Sequence, residues 1–136
     1  MANRTYAKEW LEFANKNLNT AKLLYEAYHY EDIIGIELQQ ALEKALKSIM
    51  ANENIKIPKD HDLVKIYFII EQFINISDNE IVLLKKATNY YKEDRYPNPN
   101  YCLPSRDEIK DIFNFTEDLF DKVYNILEIE KDEIKC

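Results

Sequence analysis

The chain has 136 residues, 25 acidic and 18 basic side chains, a formal net charge of -7, one Gly, four Pro and two Cys. That length suits one domain with a single core, and so few turn-formers exclude a sheet protein with its many tight turns. The acidic balance excludes a broad basic surface for duplex DNA, and no apolar run approaches the roughly 20 residues that span a bilayer.

Taken in order, the first periodic segment opens after Thr5. Tyr6, Trp10, Phe13, Ala14, Leu18, Ala21, Leu24, Tyr25 and Tyr28 recur near every 3.6 residues and predict one long amphipathic helix with these side chains inward. Tyr28 to Asp32 reads as a short connection, with His29 a loop residue, since no second His, Cys or paired acid lies near it in sequence. A second helix is predicted from about Asp32 to Ala51, with Leu38, Ala41, Leu42, Ala45, Leu46 and Ile49 as its packing stripe. Gln40, Glu43, Lys44 and Lys47 occupy its other faces, so one face packs and another is free to bind. There an amide, a carboxylate and an ammonium can converge if another segment closes over them; the same residues also read as solvated surface pairs worth about 0.3–0.5 kcal/mol. Gly35 within this helix suggests close packing of a neighbour.

Asn52 to Pro58 is a predicted loop, and Asp60 a plausible N-cap for a third helix presenting Leu63, Val64, Ile66, Tyr67, Ile70 and Phe73 or Ile74. Ser77-Asp78-Asn79-Glu80 opens a fourth helix that continues through Ile81, Leu84 and Ala87 to about Tyr91. Pro97, Pro99 and Pro104 then block regular helix over Lys92 to Pro104, a long loop rich in Arg and Tyr of the kind that often carries function. Ser105 caps a fifth helix with Ile109, Ile112, Phe113, Thr116, Leu119, Phe120, Val123, Tyr124 and Leu127 inward, and Ile129 to Cys136 is a charged, frayed tail. The expected architecture is all-α, an up-and-down bundle of four to five helices with a proline-containing loop before the last. It is a single domain over 1–128 followed by the charged tail 129–136.

Strong catalytic motifs are absent: there is no HExxH, no Gly-rich phosphate loop and no nucleophile elbow. Cys102 and Cys136 match no metal spacing and read as free thiols of a reducing compartment. Met-Ala-Asn-Arg-Thr is unlike a signal peptide, so a cytoplasmic location is expected, with no metal and no cofactor. His61, flanked by Asp60 and Asp62, is open to two readings, helix-start packing or the lining of a pocket.

Gln39-Gln40-Ala41-Leu42-Glu43-Lys44-Ala45-Leu46-Lys47, then the Asp60-His61-Asp62-Leu63 helix start, then Asp94-Arg95-Tyr96-Pro97 follow a long Tyr-rich first helix. In that order they resemble a HEPN domain over roughly residues 6 to 127. The resemblance implies a helical bundle, commonly a homodimer, often paired with a minimal nucleotidyltransferase in a toxin–antitoxin or resistance-like module. It also implies nucleotide binding and, in many members, metal-independent RNA cleavage. The cleaving members carry an Arg followed after four to six residues by a His. Arg95 is followed at those offsets by Asn100, Tyr101 and Cys102, and Arg106 by Asp111, Ile112 and Phe113, with no His beyond His61. Tyr101 would be a poor substitute, with a reference pKa of about 10.

The expectation is therefore a binding module rather than an enzyme, built on Gln40, Glu43, Lys44, Lys47, His61, Arg95 and Tyr96. Lys44, Lys47 and Arg95 could meet phosphates, Tyr96 or Tyr91 could stack on a base, and Gln40 and His61 could hydrogen-bond a base or ribose. Arg95 also reads as a salt bridge to Glu43, and Tyr101 is the candidate for modification. Expected partners are a nucleotide or nucleotide-bearing small molecule, a separate nucleotidyltransferase and a second copy of the chain. The rival readings are an RNase toxin with an atypical site at Arg95 and Tyr101, and a ligand-free interaction scaffold.

Overall fold

A computed structural model of the chain describes residues 2–94 and 103–134. Arg95, Tyr96 and Tyr101, and with them the expected Arg95–Glu43 bridge, lie outside the described residues. Five helices follow one another: α1 (Ala2–Glu26), α2 (Glu31–Asn52), α3 (Leu63–Ile70), α4 (Asp78–Asp94) and α5 (Arg106–Leu127), then a 3-10 turn over Lys131–Glu133. No strand occurs among the described residues. The fold is the all-α bundle expected.

α2 is its axis. It packs against α1 along most of its length and also touches α3, α4 and α5, so the expected stripe from Leu38 to Ile49 is buried, and so is much of the opposite side. Gln39, Glu43, Lys47 and Ser48 are buried as well. This corrects the expectation of a free polar face: a helix with four neighbours has little free surface left. Gly35 marks a close approach, since a Cβ there would lie 2.7 Å from Cδ2 of Tyr90.

α1 keeps the predicted period, and Ala14, Leu18 and Ala21 of the expected inward set are buried, but the aromatic part of that set is turned aside. Ala7, Leu11, Ala14, Leu18 and Ala21 face the core, whereas Tyr6 and Phe13 are 49% and 55% exposed and Tyr28 also faces out. The small alanines let two long helices lie close together, and the aromatic row is displaced to the adjoining side.

The short α3 is capped by Asp62 rather than Asp60. The Asp62 carboxylate accepts from the backbone N–H groups of Val64 and Lys65, while Asp60 accepts from the Asp62 N–H at 3.0 Å. Asp62 directly precedes the first helical residue, the position from which a side chain reaches those amides. Thr88 of α4 fixes this start to the bundle by accepting from the Leu63 N–H at 3.0 Å. α4 opens on a reciprocal box: Glu80 accepts from the Ser77 N–H at 2.8 Å and Ser77 Oγ from the Glu80 N–H at 3.2 Å.

α5 is capped by Ser105 as expected, its hydroxyl accepting from the Glu108 N–H. Arg106 lies between the rings of Tyr25 and Tyr28, 3.8 and 4.1 Å from their centroids, and donates to the Tyr25 carbonyl at 2.9 Å. The inward row of α5 includes Phe115, while Phe113 is only half-buried beside Tyr25. The described part of the tail does not fray. Ile129 and Ile134 are buried, Lys131 pairs with Asp121 at 2.6 Å, and Arg4 donates to Glu133 at 3.3 Å. Two apolar side chains on a short charged segment suffice to dock it.

Candidate functional site

The polar centre of the bundle is built from one row of α2. Gln39, Glu43 and Lys47 stand four residues apart and so lie above one another on the helix, and the segment leading into α3 brings His61 across them. Glu43 Oε1 accepts from Gln39 Nε2 at 3.0 Å and lies 2.8 Å from His61 Nδ1, while Oε2 accepts from Lys47 Nζ at 2.9 Å. Gln39 Nε2 also donates to the His61 carbonyl at 3.2 Å, and Gln40 donates to Gln39 Oε1 at 2.6 Å. Burial by itself would raise the pKa of Glu43. Hydrogen bonds from Lys47, His61 and Gln39, together with the Lys47 charge, outweigh it and hold the carboxyl below its ordinary value.

An ionised Glu43 accepts only, so the His61 atom facing it is a protonated Nδ1. In the neutral ring Nε2 then carries the free lone pair. The Glu43 and Lys47 side chains are each 6% exposed, whereas that of His61 is 47% exposed. The His61 ring lies against Tyr91 of α4, centroids 4.5 Å apart and planes inclined by 33°. Outside it opens a cavity of about 250 Å³ lined by His61, Tyr91, Lys59, Lys65, Asp60 and Asp62. A buried carboxylate thus orients an imidazole at the mouth of a small polar hollow.

Of the residues singled out from sequence, Gln40, Glu43, Lys47 and His61 are brought together. Lys44 is not: its ammonium donates to Asn17 Oδ1 at 2.7 Å, and Asn17 in turn donates to Glu37 at 2.9 Å. Burial lowers the Lys44 pKa against the opposing pull of Glu43 and Glu37. Lys44 lines instead an apolar hollow of about 380 Å³ with Tyr6, Trp10, Phe13 and Glu9 on the outer side of α1.

Sequence reasoning missed Gln39 as a site residue, although its spacing to Glu43 and Lys47 was the available signal. It also missed Lys59 and Lys65, for which no local pattern exists. Among the described residues no group of three His, Cys, Asp or Glu side chains could hold a metal ion. None of their helices is long and apolar enough to cross a membrane.

Comparison with known proteins gives this arrangement a context. The solved structure of TT1696 from Thermus thermophilus superposes with a TM-score of 0.73 at 20% identity, covering 93% of this chain and 99% of that one. ST0689, an archaeal HEPN homologue, superposes with a TM-score of 0.69 at 17% identity, covering 89% of this chain and 97% of the other. At these identities the likeness is one of fold. In sequence, the protein named "Putative toxin MJ1304" of Methanocaldococcus jannaschii is 27% identical over 143 aligned positions, covering 98% of this chain and 91% of its own length. The family model of the HEPN domain matches residues 7–128, nearly the whole helical bundle. The chain belongs to the HEPN family.

Proposed function

We propose that the chain binds a nucleotide or a nucleotide-bearing small molecule at the His61 hollow and works beside a separately encoded minimal nucleotidyltransferase in a toxin–antitoxin-like or resistance-like pair. The observation that carries this reading is the oriented imidazole. Glu43 holds His61 at 2.8 Å while Tyr91, Lys59 and Lys65 line the same hollow. That arrangement offers a ring edge for hydrogen bonding, an aromatic face for a base and two ammonium groups for phosphates. The relative named as a toxin agrees with such a module. Lys47 acts from beneath, by fixing Glu43. The functional unit is a homodimer, to which the exposed aromatic row of Tyr6 and Phe13 would contribute a second-copy surface.

Calorimetric titration with ATP, GTP and their monophosphates, with light scattering for mass, tests the reading. Saturable binding to a dimer is expected, weakened at least about tenfold in His61→Ala and in Lys59→Ala/Lys65→Ala with helicity unchanged. Flat titrations with every nucleotide would sink it and leave the scaffold reading. The second reading is a ribonuclease toxin acting at Arg95 and Tyr101, with which the relative's name shares only the word toxin. Growth arrest on expression that is lost in Arg95→Ala would decide for that activity.

A further inference from the structure

His61 differs from the other histidine of the chain in a chemically specific way. His29 is exposed, lies edge-on to Tyr30 at 5.0 Å, and has no carboxylate on its ring among the described residues. His61 has Nδ1 fixed at 2.8 Å from a carboxylate that is itself anchored by Lys47 at 2.9 Å and by Gln39 at 3.0 Å. The fixed tautomer leaves the Nε2 lone pair on the opposite edge of a half-exposed ring that lines the hollow with Lys59 and Lys65. Asp60 and Asp62 line it too, but both carboxylates accept backbone hydrogen bonds at the start of α3.

We propose that His61 is a phosphoryl-acceptor residue, taking a phosphoryl group at Nε2 from a small phosphoryl donor of the phosphoramidate or acyl-phosphate class. With phosphoramidate, the Nε2 lone pair attacks phosphorus, the new N–P bond forms, the donor's own P–N bond breaks and ammonia departs with its protons. Nε2 has no proton to lose. Nδ1 keeps its own, so the product ring is a phospho-imidazolium whose positive charge faces Glu43 directly. The carboxylate therefore favours the charged product as well as the nucleophilic tautomer. Lys59 and Lys65 line the same hollow and can supply counter-charge to the transferred oxygens.

The hollow is the one proposed above for a nucleotide, yet phosphoramidate carries no nucleoside, so the two readings fail separately. A flat nucleotide titration leaves this inference standing, and an inert His61 leaves nucleotide binding standing. The test is incubation of the full chain with potassium phosphoramidate, followed by intact mass and peptide mapping.

One phosphoryl group per chain is expected, located on His61, labile in acid and stable in base, and acquired faster than any on His29. It should be absent from that peptide in His61→Gln, and at least about tenfold slower to form in Glu43→Gln. Glu43 is buried and its variant could lose its fold, so the wild-type ring is also read by nitrogen NMR. In the neutral ring the proton is expected on Nδ1, facing Glu43. Equal labelling of His29 and His61, an acid-stable label on a hydroxyl, no label on His61, an unchanged rate in a folded Glu43→Gln variant, or an Nε2–H tautomer would each overturn the proposal.

Discussion

Replacing Lys47 with Met removes one of the three donors on Glu43 while preserving most of the apolar stem that packs in the bundle. The two side chains are each 6% exposed and 2.9 Å apart, so water cannot readily replace the lost ammonium. Breaking a buried pair by deleting one partner costs about 3–5 kcal/mol, and the hydrogen bonds from His61 and Gln39 that remain place this case near the lower end, about 3 kcal/mol at neutral pH. The pH dependence makes the reasoning specific.

In the wild type the folded pKa of Glu43 lies below its unfolded value, for which 4.5 is the reference. Its contribution to stability is therefore fully present above that reference and is lost as pH falls through the folded pKa. Without Lys47 the effect of burial is no longer outweighed to the same degree and the folded pKa rises. The difference between variant and wild type should then be largest near pH 7 and shrink as pH falls through the variant's raised folded pKa. Urea unfolding followed by circular dichroism at pH 7 and pH 4 measures it. A loss under about 1 kcal/mol at pH 7, the magnitude of an exposed pair, or the same loss at both pH values, would refute the account of a buried, ionised centre.

Other consequences concern packing. Gly35→Ala gains helix propensity of up to about 1 kcal/mol but sets a methyl carbon 2.7 Å from the buried Tyr90 ring, whose hydroxyl donates to Glu108. Overpacking costs about 1–3 kcal/mol, so a net loss near 1 kcal/mol is expected in urea unfolding, and a more stable variant would show that the contact yields freely. Ile134→Ala should cost about 2–3 kcal/mol and increase amide exchange around Ile129, since both side chains are buried under the bundle. No change in either observable would return the segment to the frayed tail that its composition suggests.

The number and order of the helices were legible in the sequence because their causes are local. The Leu38-to-Ile49 stripe needs only helical spacing, the Ser77–Glu80 box and the Ser105 cap act within one turn, and Gly35 announced a close neighbour without naming Tyr90. Part of the site was legible for the same reason, as Glu43 and Lys47 are one turn apart on the same helix. What local spacing lacks is phase and surroundings. The rows of α1 containing Tyr6 and Ala7 have the same period, and only contact with α2 selects the row with the small side chains.

Lys44, next to Glu43 in sequence, lies about 100° around the helix and turns to Asn17 on α1 rather than to His61. The choice between Asp60 and Asp62 as cap depended on which residue begins α3, which the Thr88 contact from α4 helps to set. Above all, helical spacing left Glu43 and Lys47 open to two readings, a binding face or a solvated surface pair. The four helices around α2 made them interior ones, and an ion pair cut off from water must be held by neighbours that meet only when the whole chain has folded.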